Sequence, residues 1–175
     1  MPGRKLSSQQ IYNGRAIKLR VDTVEEPNGK TTTREIIEHA DCVAVVALDE
    51  QKNVVLVRQL REAVDKTLLE IPAGGIDPGE EPVDAVRREL QEEIGFLPQK
   101  IERLGGFYAT PGYGTEYLYL YLATDLKPSQ LKADDTENIE VVKIPLSQIP
   151  ALIASGEICD AKSIAGLLRF IYLKG

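Results

Sequence analysis

Histidine is nearly absent from this chain of 175 residues, which has His39 alone. With no second imidazole there is no zinc cluster, and no nearby Ser or Cys completes a nucleophile motif. His39 is expected to be a structural strand residue. Cysteine is equally sparse: Cys42 and Cys159 are far apart and form no CxxC or metal-ligand spacing, which predicts free thiols in a reducing compartment. A positive charge excess is missing too, because 21 Lys and Arg stand against 27 Asp and Glu, a net charge of −6. That balance argues against general affinity for nucleic acid, so any anionic substrate needs a few placed cations or bound metal ions. The apolar run Val43–Leu48 is too short to cross a membrane, and Met1-Pro2-Gly3-Arg4-Lys5 leads into polar residues instead of a signal-peptide core. The expectation is a cytoplasmic protein. What is present, 43% hydrophobic and 27% charged residues, suits one globular domain with a small appendage.

Residues 1–40 read as that appendage. Ile17, Leu19 and Val21 alternate with Lys18, Arg20 and Asp22, and Thr31–Ile37 can pair back across Pro27-Asn28-Gly29-Lys30 as a β-hairpin with one wet face. Residues 41–175 form the main domain. Cys42–Leu48 and Val54–Leu60 are expected as central strands, and Thr67–Ile71 leads into Pro72-Ala73-Gly74-Gly75, where proline and two glycines point to an irregular loop. Further strands are predicted over Ile101–Tyr108, Tyr117–Ala123 and Ile139–Ile144, and helices over Ser147–Ala154 and Ala161–Tyr172. Antiparallel-looking strands with isolated helices favour α/β layers on a mixed sheet.

The most informative helix is predicted over about Pro82 to Ile94. Pro82 suits its first turn, Gly95 its end, and Val83, Val86, Leu90 and Ile94 form one apolar stripe. At about 100° per residue, Glu89, Glu92 and Glu93 share an arc of roughly 100° away from that stripe. A solvated acidic face is the plain alternative. However, like charges one turn apart repel, and Glu92 and Glu93 sit where the helix dipole favours cations. A divalent cation reverses the sign of both costs. Oxygen ligands without His or Cys suit a hard ion, Mg²⁺ first and Mn²⁺ as substitute, and Mg²⁺ typically brings substrate phosphate oxygens with it. Glu80 and the carbonyls of Ala73-Gly74-Gly75 can complete the shell, while Arg88 can pair with Glu92 one turn away.

The stretch Gly74-x5-Glu80-x7-Arg88-Glu89-Leu90-Gln91-Glu92-Glu93-Ile94-Gly95-Phe96 resembles the signature of the Nudix hydrolases at every defined position over 23 residues. The resemblance implies a Nudix-type α/β/α sandwich and metal-dependent hydrolysis of a nucleoside diphosphate linked to another group. Pro111, 15 residues beyond Phe96, together with Val57-Arg58-Gln59-Leu60-Arg61, Leu69-Glu70-Ile71-Pro72-Ala73-Gly74 and Arg34-Glu35-Ile36-Ile37-Glu38-His39, is similar to the ADP-ribose pyrophosphatase subfamily. One departure is Gly114-Thr115, where relatives more often show Ser-Asp or Thr-Asp before the glutamate.

By that resemblance the main metal ligands are Glu89, Glu92 and Glu93, with Arg88 and Glu80 orienting them; Ala73, through its carbonyl, is a further candidate ligand. Glu116 is the candidate catalytic base, with Glu92 or Glu93 as the alternative. Arg61 is the candidate phosphate clamp, and Arg34 and Glu35 are expected to reach the substrate from a partner subunit. The resemblance therefore implies a homodimer joined through residues 1–40 and hydrolysis of ADP-ribose to AMP and ribose 5-phosphate. The alternatives are another nucleoside diphosphate sugar such as GDP-mannose, or a non-catalytic module that senses ADP-ribose or a nucleotide.

Overall fold

The computed structural model describes residues 3–132 and 139–174. The chain divides into two compact units, Met1–Asp41 with Tyr108–Tyr117, and Cys42–Phe107 with Leu118–Gly175.

The first unit is an antiparallel sheet of three strands in the order β1 (Arg4–Asn13), β2 (Ile17–Glu25) and β3 (Thr31–His39). The β2–β3 hairpin closes over Asn28-Gly29 as expected: the Gly29 N–H donates to the Glu26 carbonyl and Gly29 takes φ +80°, a left-handed value natural to glycine. The expected hairpin thus becomes three strands. β1 is exposed along its whole length and adds by backbone pairing with β2, so its sequence carries no buried-face alternation. The segment Tyr108–Tyr117 belongs to this unit because it is laced to β3. The Ile37 N–H donates to the Tyr113 carbonyl (2.7 Å), and the Thr115 N–H donates back to the Ile37 carbonyl (3.0 Å).

The second unit is built on a mixed sheet of seven strands. Its main path runs β10 (Glu140–Pro145), β5 (Asn53–Arg61), β4 (Cys42–Leu48), β9 (Tyr117–Pro128), β8 (Phe96–Tyr108). β4 runs parallel to β9 and antiparallel to β5. Every residue from Val43 to Ala47 is fully buried, as expected of a strand covered on both faces. Alternation along β4 sends Val43, Val45 and Ala47 into one core with Ala85, Val86 and Leu90 of helix α1 (Pro82–Glu93) and its C-cap residue Ile94. Val46 points the other way, toward helix α3 (Ala161–Lys174), where a Cβ on Gly166 would meet Ile71 and Leu120 side chains at 2.9 Å and Val46 at 3.7 Å. The result is the expected sandwich of helix, sheet and helix. A short 3-10 turn over Leu146–Gln148 and helix α2 (Ile149–Ser155) precede α3.

Two local expectations are corrected. Ala73–Gly75 is regular: it forms a three-residue strand, β7, antiparallel to β4, with Ala73 opposite Ala44 and Gly75 opposite Cys42. Glycine tolerates the extended pairing, and Pro72 lies just before it, so no ladder donor is lost. β8 starts at Phe96, five residues before the predicted Ile101, and holds Pro98 within it. Among the described residues no helix is long and apolar enough to cross a membrane.

Candidate active site

Strand β6 (Lys66–Glu70), the turn at Ile71-Pro72 and β7 bring backbone to the flank of α1. The closeness of that approach is set by Gly74. A Cβ placed there would lie 2.0 Å from the Glu89 carboxyl carbon, so the carboxylate occupies the space that any side chain would fill. Next to it, the Ala73 N–H donates to Glu93 Oε2 at 3.1 Å. Sequence reasoning gave the glycine room to a metal ion; the structure gives it to Glu89.

Arg88 holds the remaining carboxylates. Its Nε and Nη2 donate to the two oxygens of Glu80 at 3.0 and 2.9 Å, and Nη2 also donates to the Gly75 carbonyl at 2.8 Å. Nη1 donates to Glu89 Oε1 at 2.6 Å and to Glu92 Oε2 at 3.3 Å. The expected Arg88–Glu92 pair is therefore present, as one arm of a four-way fork. Among the described residues Glu89 Oε2, Glu92 Oε1 and Glu93 Oε1 accept no hydrogen bond, which leaves three carboxylate oxygens available on one helix.

The electrostatics follow from this arrangement. Hydrogen bonds from Arg88 hold the Glu80 carboxyl below its usual range, against the opposing effect of burial. Arg88 in turn keeps its proton more tightly than a free arginine, chiefly through Glu80. Burial raises the Glu89 carboxyl, although Arg88 partly offsets it. Glu93 is pushed up to about 8 by burial and then by the charge of Glu89. A divalent cation with an oxygen-ligand preference would relieve both, and the carboxylates of Glu89, Glu92 and Glu93 are donors of the kind such an ion takes. Among the described residues no His or Cys contacts these carboxylates, so softer metals have no preferred ligand there.

α1 ends with no basic residue in its last turn. Its terminal carbonyls are capped from elsewhere: the Leu131 N–H donates to the Gln91 carbonyl at 3.2 Å, and Gln130 Nε2 to the Glu92 carbonyl at 3.1 Å. Ser129 adds two bonds, one from its N–H to the Gly95 carbonyl and one accepted by its Oγ from Gln91 Nε2. These capping residues were not foreseen, because nothing in the local sequence of α1 points 38 residues ahead.

Arg61 makes a two-pronged pair with Glu70, Nε to Oε1 at 3.0 Å and Nη2 to Oε2 at 2.7 Å. Glu70 is itself buried, 1% exposed, and Lys162 of α3 reaches its Oε2 as well. Burial alone would raise the Glu70 carboxyl, but Arg61 and Lys162 bring it below the usual glutamate range. Glu70 and Lys162 were likewise missed.

The other candidates lie in the first unit. Arg34 is exposed on β3 and donates to Glu26 Oε1 at 2.5 Å, with Glu35 exposed beside it. Glu116 is half-buried, with Oε1 3.7 Å from His39 Nδ1, and its loop is tied to β3 through the His39 N–H and Thr115 Oγ1 at 3.1 Å. Cys42 is buried and Cys159 exposed, and neither forms a disulfide among the described residues.

Comparison with known proteins gives a consistent result. A family model described as the NUDIX domain matches residues 38–167, and one described as the nucleoside diphosphate sugar hydrolase N-terminal domain matches residues 4–37. The chain is 36% identical over 173 residues to a Bacillus subtilis (strain 168) protein named ADP-ribose pyrophosphatase, covering 98% of this chain and 93% of that one. It is also 36% identical over 163 residues to a Bacillus methanolicus protein named methanol dehydrogenase activator, covering 92% and 88%. A solved structure described as an ADP compounds hydrolase shares the fold with a TM-score of 0.90 at 23% identity, covering 98% of this chain and 94% of that chain.

Proposed function

Because the chain belongs to the Nudix family, we propose that it hydrolyses the pyrophosphate bond of a nucleoside diphosphate sugar in a Mg²⁺-dependent reaction, with ADP-ribose giving AMP and ribose 5-phosphate. The observation that carries this reading is the trio Glu89, Glu92 and Glu93, each with an oxygen that accepts no hydrogen bond among the described residues, set against the Ala73–Gly75 backbone. Bound Mg²⁺ would supply charge for the pyrophosphate oxygens and acidify a coordinated water. The chain's own contributions are separate. Glu89, Glu92, Glu93 and the Ala73 carbonyl would hold the ion, and Arg88 fixes Glu80, Glu89 and Glu92 at one spacing. Glu116 takes the proton of the attacking water, with Glu92 or Glu93 as the alternative base. Arg61, fixed by Glu70, binds phosphate.

Arg34 and Glu35 of a second copy would hold the nucleotide end in a homodimer formed through residues 1–40. The support for this is β1, which is exposed throughout and carries Leu6, Ile11 and Tyr12, each about half exposed. Cysteines outside any disulfide among the described residues suit a cytoplasmic setting, and the net charge of −6 gives no reason to invoke nucleic acid.

The test is a panel of ADP-ribose, GDP-mannose and related nucleotide sugars incubated with Mg²⁺, the products being separated by chromatography. AMP formed from ADP-ribose with kcat/KM above that for the others supports the reading. GDP-mannose as preferred substrate keeps the chemistry and changes the specificity. Tight binding in calorimetry without product on prolonged incubation replaces the enzyme by a nucleotide sensor.

A further inference from the structure

The residues from Glu70 to Gly74 are pinned one after another. Glu70 is held by Arg61 and Lys162, and the Ile71 N–H donates to Ser163 Oγ at 2.8 Å. The Pro72 carbonyl accepts from Val45 at 2.9 Å, the Ala73 N–H meets Glu93, and Gly74 lies against Glu89. Two of these six anchors, Lys162 and Ser163, come from the first turn of α3, and each is 92 positions from the residue it holds. That turn is ordered within itself, because Asp160 Oδ1 accepts from Lys162 Nζ at 3.0 Å and from the Ser163 N–H at 3.2 Å.

Stability does not explain the arrangement. Ser163 and Ile71 are fully buried, Glu70 nearly so, and a buried ion cluster gives little net stabilisation over apolar packing of the same volume. What such a network does provide is position. Ile71 and Ala73 are only two residues apart, and the Ala73 N–H contacts Glu93, one of the candidate ligands.

We propose that Lys162 and Ser163 are positioning residues for the metal site. By fixing Glu70 and the Ile71 amide they set where the Ala73 backbone stands relative to Glu93. The inference rests on the metal-site reading above and adds to it two residues outside the signature stretch.

The experiment is titration of the full chain with Mn²⁺, the free ion being counted by electron paramagnetic resonance, in the absence of substrate. Lys162→Met and Ser163→Ala are each expected to weaken Mn²⁺ binding about tenfold, the usual scale for removing a partner behind a ligand. In turnover of ADP-ribose at saturating metal, kcat is expected to fall while KM stays near the wild-type value. Ile149→Val, a buried change in α2, serves as the control for lost stability. Wild-type Mn²⁺ affinity in the folded variants overturns the proposal, as does a loss no greater than that of the control at matched melting temperature. Should Ser163→Ala fail to fold, Lys162→Met decides alone, since the lysine is partly exposed. A wild-type chain that holds no Mn²⁺ overturns the metal-site reading itself and this proposal with it, an outcome distinct from unchanged variants.

Discussion

Gly74 and Glu89 share one small space: the hydrogen that glycine carries in place of a side chain leaves the carboxyl carbon of Glu89 room that a Cβ at 2.0 Å would deny it. Gly74→Ala is therefore expected to displace Glu89 instead of the paired backbone of β7. Mn²⁺ affinity should drop at least about tenfold, with a comparable fall in kcat. Paired calorimetric and kinetic titrations would check this, and wild-type affinity in the folded variant would show that Glu89 is not a ligand.

The protonation of Glu93 gives a dependence on pH. Its carboxyl is raised to about 8 in the metal-free chain, so below that pH metal binding must expel a proton. Metal affinity should rise by up to roughly tenfold per pH unit between pH 6 and 8 and then level off. Stability runs the other way. The native state binds this proton and the unfolded chain does not between about pH 4.5 and 8, so the contribution of Glu93 is present at low pH and lost as pH rises through 8. In EDTA, Glu93→Gln should raise the melting temperature at pH 9 more than at pH 6. A pH-independent difference in melting temperature would contradict the shift.

Among the described residues Arg88 is the one cation that pairs with Glu80, Glu89 and Glu92. Arg88→Ala should cost about 2 kcal/mol, less than the loss of a fully buried pair because the arginine is a quarter exposed. Added Mn²⁺ should recover more melting temperature in the variant than in the wild type, since the ion then supplies the missing positive charge. Equal recovery in both would mean that the ion does not sit among these carboxylates.

Gln130 is exposed, yet it caps the Glu92 carbonyl. Gln130→Ala should lower stability to urea by about 1 kcal/mol, the net worth of one such bond, and leave KM nearly unchanged. A larger loss would show that Gln130 does more than cap α1.

For Glu116→Gln, kcat should fall about a hundredfold while Mn²⁺ affinity stays within twofold, if this residue takes the water proton. Lost Mn²⁺ affinity would move Glu116 among the ligands, and unchanged kcat would pass the role of base to Glu92 or Glu93.

α1 was legible because its apolar stripe and its carboxylates obey one period, so Pro82–Glu93 and its acidic face follow from spacing alone. β4 and β5 were legible as unbroken apolar runs. β1 was not, since Ser7, Ser8, Gln9 and Gln10 are exposed polar residues with no buried-face alternation, and they join the sheet through backbone pairing and a few polar side-chain bonds to β2. The start of β8 was hidden by Pro98, which argues locally against a strand. Glu70 reads as one more polar residue at the end of β6 until Lys162 arrives from the far end of the chain, and such a pairing has no periodic signal to betray it.

The way Tyr108–Tyr117 is stitched to Ile37 and His39 also decides how this polypeptide can be taken apart. A single cut after Asp41 does not free a self-sufficient remainder, because it strips the excursion of its backbone donors and acceptors and leaves them to water. Any truncation meant to isolate the catalytic body must shorten that excursion as well, and with it removes Glu116.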